Sequence, residues 1–311
     1  MTTLTVAAVQ FELRAEPTLE GFAAHLSELL DKAVSAGAEL VVFPELVTTG
    51  LLASVPGEPV HTRTVGKHYR TVFPAVTDDL VELLRELARS REVTILGGSH
   101  YRFAADGSLR NTAILAHPDS RIEMQDKLHL TPPEHELGAV GGDDVLISRI
   151  GPFTAAIQIC ADIEFPEVPR YLTEQGVDLI LTPSLTWNRR GANRVRYGAH
   201  ARAMENQLYV VTTPLVGTSG LPKDAPLHGT GAALVAGPID RATGANDGAL
   251  ARGSGSIEEI VTVTLDRAAL STSRAKPEVP GLSLRRPELY ERLRGVPPTA
   301  RWSNATKSTS G

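Results

Sequence analysis

The chain contains 311 residues, of which 42% are hydrophobic, and its formal net charge is −5. This composition is enough for one sizeable core, and the lack of long runs of Lys or Arg argues against nucleic-acid and membrane-surface partners. The single cysteine, Cys160, excludes an intramolecular disulfide and a cysteine-rich zinc site, which leaves packing, a reactive thiol or one metal ligand. No basic segment followed by an apolar one begins the chain, and no stretch approaches the roughly 18 apolar residues of a membrane helix, so we expect a cytoplasmic protein.

The first part of the chain alternates between predicted strands and predicted helices. Apolar residues at helical spacing predict helices over about 19–33 and 80–87, and Gly37 supplies the stop of the first. Asp106-Gly107 predicts a hairpin turn. Short apolar runs predict strands over residues 4–9, 40–43, 93–96 and 112–115, and residues 122–126 are a further predicted strand.

The alternation continues to about Leu265. Apolar runs predict strands over 153–159, 177–181 and 208–212, with a short helix after the first of them and a longer one that ends near Asn206. Beyond Leu265, prolines interrupt any long element, and residues 305–311 have the composition of a disordered tail. We therefore predict one domain over residues 1–270 and a C-terminal extension over 271–311 that is Pro-rich and then disordered.

Three polar residues directly follow predicted strands: Glu45, Lys127 and Cys160. Functional side chains in sheets flanked by helices cluster beyond the carboxyl ends of strands, where loops meet at a crevice. If the three meet there, Glu45 could act as general base for the thiol of Cys160. Lys127 and the backbone N–H of Ala161 could then stabilise the negative charge that develops when sulfur attacks an amide or nitrile carbon.

Each residue also has a structural alternative. A lone cysteine after an apolar strand is often an inert core residue, and a glutamate after Pro44 or a lysine at a strand end is often a solvated charge. His129, His135, His200 and His228 lack the spacing of a metal site, so we treat them as structural or surface histidines.

Four stretches carry a resemblance to a known family. In chain order they are Phe43-Pro44-Glu45-Leu46, Lys127-Leu128-His129-Leu130-Thr131-Pro132-Pro133-Glu134, Cys160-Ala161-Asp162-Ile163-Glu164-Phe165-Pro166-Glu167 and Arg202-Ala203-Met204-Glu205-Asn206. They resemble the glutamate, lysine and cysteine motifs and a further signature of the nitrilase superfamily, also called the carbon–nitrogen hydrolases, and they occur in that family's order. The resemblance extends over roughly residues 4–265 and is strongest to the amidase-like branch.

The resemblance implies a four-layer α-β-β-α sandwich and dimers, or higher homo-oligomers, that join through helices covering a sheet. It implies a Glu-Lys-Cys triad of Glu45, Lys127 and Cys160, a thioester intermediate, and neither a metal nor an organic cofactor. Glu134 matches a second glutamate that holds the lysine or positions substrate, with Glu136 as a weaker candidate. The structural alternative for Glu134 is a carboxylate that caps nearby backbone N–H groups.

Departures from the family bear on the substrate. Ala161-Asp162 stands where nitrilases usually have Trp-Glu, which favours amides over nitriles, and Ile163-Glu164 stands where carbamoylases carry arginines. If Glu164 faces the pocket, we expect a neutral or cationic amide. Arg189 and Arg190, after Trp187, could reverse the local charge, or they could be a solvated pair. Three aromatic residues are candidates for an apolar pocket wall, or for packing: Trp187, Tyr69 and Phe73.

We therefore predict a hydrolase that cleaves a non-peptide carbon–nitrogen bond of a small amide through a Cys160 thioester and releases ammonia or an amine. The alternatives within the family are a nitrilase, an N-carbamoyl amidohydrolase and an acyl transferase. A non-catalytic binding protein on the same fold is a further alternative. A thiol redox protein would need an intermolecular partner, because the chain has no second cysteine.

Overall fold

The computed structural model describes residues 2–55, 60–221 and 227–295, and within them strands and helices alternate along the chain. The predicted disordered segment 305–311 lies outside the described residues. The strands are β1 (Thr3–Arg14), β2 (Leu40–Val42), β3 (Thr94–Phe103), β4 (Leu109–Ala116), β5 (Ile122–Asp126), β6 (Ile147–Ile150), β7 (Phe153–Ile157), β8 (Leu179–Ser184), β9 (Tyr209–Ser219), β10 (Leu234–Ala236), β11 (Ala249–Arg252) and β12 (Glu259–Asp266).

The α-helices are α1 (Leu19–Ser35), α2 (Val65–Ala75), α3 (Thr77–Ser90), α4 (Pro132–Glu136), α5 (Glu167–Glu174), α6 (Arg189–Asn206), α7 (Arg267–Ala275) and α8 (Pro287–Arg294). Two 3-10 helices cover Val47–Ser54 and Cys160–Glu164. The Thr18 hydroxyl caps α1 by accepting a hydrogen bond from the N–H of Gly21, and Gly37 follows the helix with φ +86°, a conformation that suits glycine.

The strands form two sheets that meet at β1 and β9. The first half of β1 pairs with β2 and β12, and this sheet continues through β3 and β4 to β5. The second sheet runs from β6 through β7 and β8 to β9, which also pairs with β10. Toward their carboxyl ends β1 and β9 pair with each other, at Phe11↔Leu215 and Glu12↔Val216.

The side chains of β1 alternate between two cores, as the two-residue period of a strand requires. Leu4, Val6 and Ala8 belong to the cluster that contains the second sheet, whereas Ala7 and Val9 pack with α1 and α3. Helices α5 and α6 cover the second sheet, and α6 contacts β9 and β10. The layers are therefore helix, sheet, sheet and helix, which confirms the predicted α-β-β-α sandwich.

The prediction from periodicity was incomplete for β1, β9 and α2. Both strands extend well past the apolar runs that predicted them, because their ends pair with each other. Helix α2 was not predicted, since β-branched residues and an internal Pro74 obscure its helical pattern. The predicted domain boundary at residue 270 falls within α7, whose Leu270 is buried.

No helix in the part of the chain that the structure describes is long and apolar enough to cross a membrane. The carboxyl ends of β2, β5, β7 and β8 carry the segments that build the site described below.

Candidate active site

The segment after β2 directs Glu45 into the interior. The N–H of Ser99 donates a hydrogen bond to the carbonyl of Pro44 (3.2 Å), and the N–H of Leu46 donates to the Ser99 hydroxyl (3.1 Å). Leu46 has φ +50°, an unusual backbone conformation for leucine, so the chain turns sharply right after Glu45. On the neighbouring strand Gly98 has φ +75°, and a Cβ there would lie 2.0 Å from the Pro44 carbonyl oxygen. Only glycine allows this close approach, which fixes the position of Glu45.

A second sharp turn presents Cys160. Strand β7 ends at Ile157, and Cys160 begins a short 3-10 helix with φ +49°. Strained conformations of this kind are kept where the surrounding structure enforces them, most often at functional positions. The thiol is buried, with 6% of the residue exposed. The N–H of the adjacent Ala161 lies in the first turn of this 3-10 helix.

The fully buried carboxylate of Asp162 joins the cysteine segment to the lysine segment. It accepts hydrogen bonds from the N–H of Ile159 (2.9 Å), and from the N–H (2.7 Å) and Nδ1 (2.9 Å) of His129. The imidazole of His129 also stacks on Phe165, with ring centroids 4.0 Å apart. Asp162 therefore sets the position of Cys160 relative to Lys127, and His129 has a structural role.

Lys127 lies between two carboxylates. Its N–H donates to the carbonyl of Asn111 on β4 (2.8 Å), and its Nζ donates to Glu45 Oε1 (2.7 Å) and to Glu134 Oε2 (2.8 Å). Glu134 Oε2 also accepts hydrogen bonds from the N–H and the hydroxyl of Thr131. The structure thus gives Glu134 both of its proposed positions, beside the lysine and as a cap of α4, whereas Glu136 is exposed.

The segment after β8 connects Glu45 to the sulfur. The N–H of Leu185 donates to Glu45 Oε2 (2.9 Å), and the carbonyl of the same residue lies 3.5 Å from Cys160 Sγ. The structure therefore brings Glu45, Lys127, Glu134 and Cys160, all candidates from the sequence, into one buried cluster that closes through Leu185.

The surroundings shift the pKa values of the cluster in different directions. Burial alone would lower the pKa of Lys127, but the charges of Glu45 and Glu134 outweigh it and raise that pKa well above its usual value. Lys127 is therefore an ammonium at neutral pH. Burial raises the pKa of the Cys160 thiol far above its usual value, and the negative charge of Glu45 raises it further, so the resting sulfur is a neutral thiol.

The two carboxylates differ in the same way as the acid/base pairs of other enzymes. Burial, assisted by the charge of Glu134, raises the pKa of Glu45 despite the opposing charge of Lys127. Burial also acts to raise the pKa of Glu134, but Lys127 and a hydrogen bond from Asn111 outweigh it, and the net shift is downward. When the environments of two neighbouring titratable groups shift their pKa values in opposite directions, one group usually acts as acid or base and the other stays charged. The raised pKa suits Glu45 to accept a proton, while Glu134, with its lowered pKa, stays ionised and balances Lys127.

Of the candidate substrate residues, Glu164 and Trp187 both lie near the cluster along the chain but differ in their environment. Glu164 lies 3.2 Å from the guanidinium of Arg194 on α6, an ion pair that offsets its charge. Trp187 lies two residues after Leu185, with 40% of its surface exposed, and its carbonyl accepts a hydrogen bond from His228 Nε2 (3.0 Å).

The other candidates from the sequence do not belong to the buried cluster of Glu45, Lys127, Glu134 and Cys160. Arg189 and Arg190 are exposed and begin α6, rather than lying in a loop. Phe73 is fully buried on α2 and stacks on His100, so its ring belongs to the core. Tyr69, on the same helix, packs edge-on against Phe73 and lies close enough to Glu45 for the two to interact. Asn206 is fully buried at the end of α6, where its Nδ2 donates to the carbonyl of Arg202.

Three contributors to the cluster were not predicted: Asn111, the backbone of Leu185 and the clamping role of Asp162. The sequence contained little signal for the first two, because an asparagine at the edge of an apolar run and a leucine after one are both common. Asp162 lies inside the cysteine motif, two positions after Cys160. An acidic residue at this distance could have been identified as a cap of the turn that begins at Cys160.

A model of the carbon-nitrogen hydrolase family matches residues 5–275 of the chain. The protein "Probable hydrolase YhcX" of Bacillus subtilis (strain 168) is 34% identical over 286 residues, which are 92% of this chain and 54% of that protein. The chain thus spans about half the length of this relative. A deaminated glutathione amidase of Synechocystis sp. is 27% identical over 223 residues, which cover 68% of this chain and 77% of the relative.

Solved structures agree with the architecture. A mutant of the amidase from Nesterenkonia sp. AN1, with acrylamide added at its active site cysteine, superimposes with a TM-score of 0.71. The match covers 93% of this chain and 99% of that one at 21% sequence identity, a level at which the likeness establishes the fold alone.

Proposed function

The chain belongs to the carbon–nitrogen hydrolase family, and from this premise we propose that it hydrolyses a small amide through a thioester on Cys160, releasing ammonia or an amine. One observation carries the proposal. The buried ammonium of Lys127 lies between Glu45 and Glu134, and Glu45 is joined to the sulfur through Leu185. A buried ion cluster of this kind costs desolvation energy, and a chemical role accounts for that cost better than stability does.

In the acylation step, the Cys160 proton passes to Glu45 while sulfur forms a bond to the amide carbon. The carbonyl oxygen becomes an oxyanion. Two of the three protons of the Lys127 ammonium already bind carboxylates, so the third proton, together with the N–H of Ala161, stabilises the oxyanion. Protonated Glu45 then gives its proton to the departing nitrogen, the carbon–nitrogen bond breaks, and ammonia or an amine leaves the thioester.

Hydrolysis of the thioester uses the same groups. Glu45, again ionised, takes a proton from water, whose oxygen attacks the thioester carbon. The carbon–sulfur bond breaks, a carboxylic acid leaves, and the proton returns to the sulfur. Glu134 keeps a constant charge throughout, because its lowered pKa holds it ionised.

The relatives support a nucleophilic role for Cys160. In the amidase from Nesterenkonia sp. AN1, acrylamide adds to the active site cysteine. The deaminated glutathione amidase of Synechocystis sp. is a relative that is named for action on an amide.

The ion pair of Glu164 with Arg194 narrows the expected substrate class. A free carboxylate at this position would repel anions, whereas the pair presents both charges at a partly exposed site. We therefore propose a neutral amide as the preferred substrate.

A matched set of substrates tests this proposal. The protein is given five compounds with the same carbon skeleton: a neutral amide, an amide bearing an amine, an amide bearing a carboxylate, an N-carbamoyl derivative and a nitrile. Ammonia and the carboxylic acid product are measured together. We expect equimolar release of both, fastest from the neutral amide, with kcat/KM at least about tenfold above the carboxylate-bearing compound, a difference of about 1.4 kcal/mol.

Three outcomes would contradict the proposal, and each identifies an alternative. Preference for the nitrile or the carbamoyl compound points to those branches of the family. An acyl product formed with a nucleophile other than water points to an acyl transferase. Binding without turnover, by protein whose Cys160 is still free, points to a binding protein.

We also propose that two copies of the chain pair through the helices that cover the second sheet. Large apolar side chains are exposed on α5 and α6, at Tyr171, Tyr197 and Met204, and exposed apolar side chains on neighbouring helices are typical of subunit interfaces. Light scattering distinguishes the dimer from a monomer, and a monomer would contradict this assembly.

A further inference from the structure

Asn111 lies on β4 and touches both carboxylates of the cluster. It is buried, and its Nδ2 donates to Glu45 Oε1 (3.0 Å) and to Glu134 Oε1 (2.9 Å). Both neighbours are hydrogen-bond acceptors, so the amide nitrogen and not the amide oxygen must face them. One neutral side chain therefore uses both of its protons to bridge two groups of like charge.

Among the described residues, the other contacts of Glu45 leave one acceptor position for the thiol of Cys160, with which Glu45 interacts. Each carboxylate oxygen has about two lone-pair directions. Those of Oε1 are occupied by Lys127 and Asn111, whereas Oε2 accepts the N–H of Leu185. The carbonyl of Leu185 lies 3.5 Å from Cys160 Sγ. Leu185 therefore contacts both the sulfur and Oε2, the carboxylate oxygen of Glu45 that has an acceptor position left.

Stability alone does not account for an asparagine at this position. The Oδ1 of Asn111 is buried and has no hydrogen-bond partner among residues 2–55, 60–221 and 227–295. A buried acceptor without a partner costs roughly 1–3 kcal/mol, and a leucine of similar volume would avoid this cost. The contacts made by Nδ2 are the remaining reason for the amide.

We propose that Asn111 is a positioning residue for the proton transfer. Its Nδ2 holds Glu45 and Glu134 side by side as anions, and it directs the Cys160 proton to Oε2 by occupying Oε1. This inference rests on the proposed function, because it assumes that Glu45 is the base.

The sign of the expected pH effect follows from the groups that face Glu45. The charged or titratable groups are Lys127 after β5, Glu134 on α4, Cys160 after β7, Tyr69 on α2 and Tyr101 on β3. Burial raises the pKa of both tyrosines, which keeps them neutral. A donor to the ionised form of a carboxylate lowers its pKa. Loss of Asn111 should therefore raise the pKa of Glu45 and leave the base protonated up to a higher pH.

Alkylation of Cys160 measures this ionisation without any knowledge of the substrate. The sulfur displaces iodide from iodoacetamide while its proton passes to Glu45, and the single cysteine of the chain makes the mass increase unambiguous. We compare the pH dependence of the alkylation rate in the wild type, Asn111→Leu and Asn111→Asp. Thr112→Val is the matched control, because Thr112 is buried on the same strand but its hydroxyl binds Asp126 instead.

We expect the acid side of the profile to move to higher pH in both Asn111 variants and to stay unchanged in Thr112→Val. The shift should be about one pH unit or more for Asn111→Asp, which adds a third carboxylate, and smaller for Asn111→Leu. Rates on the alkaline plateau should be retained, because a carboxylate with a raised pKa is a stronger base. General loosening of the site would lower the plateau and leave the midpoint in place.

Wild-type midpoints in both Asn111 variants would overturn the inference and leave the proposed function standing. A plateau that falls without a change in midpoint would overturn it as well. If Asn111→Asp does not fold, Asn111→Leu decides alone, since it removes a buried polar atom that has no partner. A wild-type profile with no acid side would remove Glu45 as base, and the proposed function and this inference would fail together.

Discussion

Replacement of Cys160 by alanine is expected to abolish turnover, with kcat reduced by about four orders of magnitude or more, as for nucleophiles of other hydrolases that act through a covalent intermediate. The other groups of the cluster stay in place, but no sulfur remains to form the thioester. The backbone strain at φ +49° is the same for alanine, because both residues carry a Cβ. Turnover is measured as ammonia release, beside the thermal unfolding midpoint.

The matched comparison is the wild type blocked at Cys160 by iodoacetamide. Turnover should fall in proportion to the labelled fraction, because the chain has no other thiol. Substantial turnover by folded Cys160→Ala, or by fully labelled protein, would exclude Cys160 as nucleophile and return it to the role of a buried core residue.

Replacement of Lys127 by methionine is expected to lower kcat/KM on the order of a hundredfold or more, because the oxyanion loses its cationic donor. The stability should fall too. Glu45 and Glu134 would remain buried without their shared ammonium, and loss of one partner of a buried ion pair typically costs about 3–5 kcal/mol. Chemical denaturation measures this loss beside the kinetics.

The pH dependence of this loss has a definite sign. Without Lys127, the folded-state pKa of Glu45, which is already raised, would rise further, and that of Glu134 would rise above its unfolded value. The folded protein would then bind more protons than the unfolded chain, and the stability would fall as pH rises through the folded pKa. The variant should be closer to wild-type stability in mild acid than at pH values above neutral.

Lys32→Met is the matched control. Lys32 also lies 2.7 Å from a glutamate oxygen, that of Glu28, but both side chains are more than half exposed. Exposed pairs of this kind contribute little to stability, because water and salt screen them. We expect near-normal activity and stability for this control. An equal effect of the two substitutions would contradict the assigned role of Lys127.

The sequence placed Glu45, Lys127 and Cys160 at the ends of predicted strands, and strand ends meet at one edge of a layered sheet. The family resemblance then distinguished them, as a triad, from ordinary core and surface residues. Glu134 was predicted only through the family resemblance. Spacing alone does not distinguish it from Glu136, and the first turn of α4, set by Thr131, decides which of the two points inward.

Contacts between distant parts of the chain could not be predicted. The ion pair of Glu164 with Arg194 depends on where α6 lies against the cysteine segment, which no local pattern specifies. The same holds for the bridge from Asn111 to Glu45, 66 positions apart, since it requires the register of β4. The pairing of β1 with β12 joins residues 3–10 to residues 259–266, and apolar periodicity contains no information on such partners.

In the proposed reaction, a carboxylate, an ammonium and a thiol in one buried cluster pass an acyl group through sulfur. The intact mass of Glu45→Gln, mixed with a neutral amide and sampled over time, tests this acyl transfer. Loss of the base should slow the attack of water on the thioester more than it slows the formation of the thioester. We predict a mass increase equal to the acyl group, absent in Glu45→Gln combined with Cys160→Ala. The contrary result is that the wild type hydrolyses the amide and Glu45→Gln still releases ammonia, but Glu45→Gln shows no adduct at any time. That result would exclude an acyl group bound to sulfur as the intermediate.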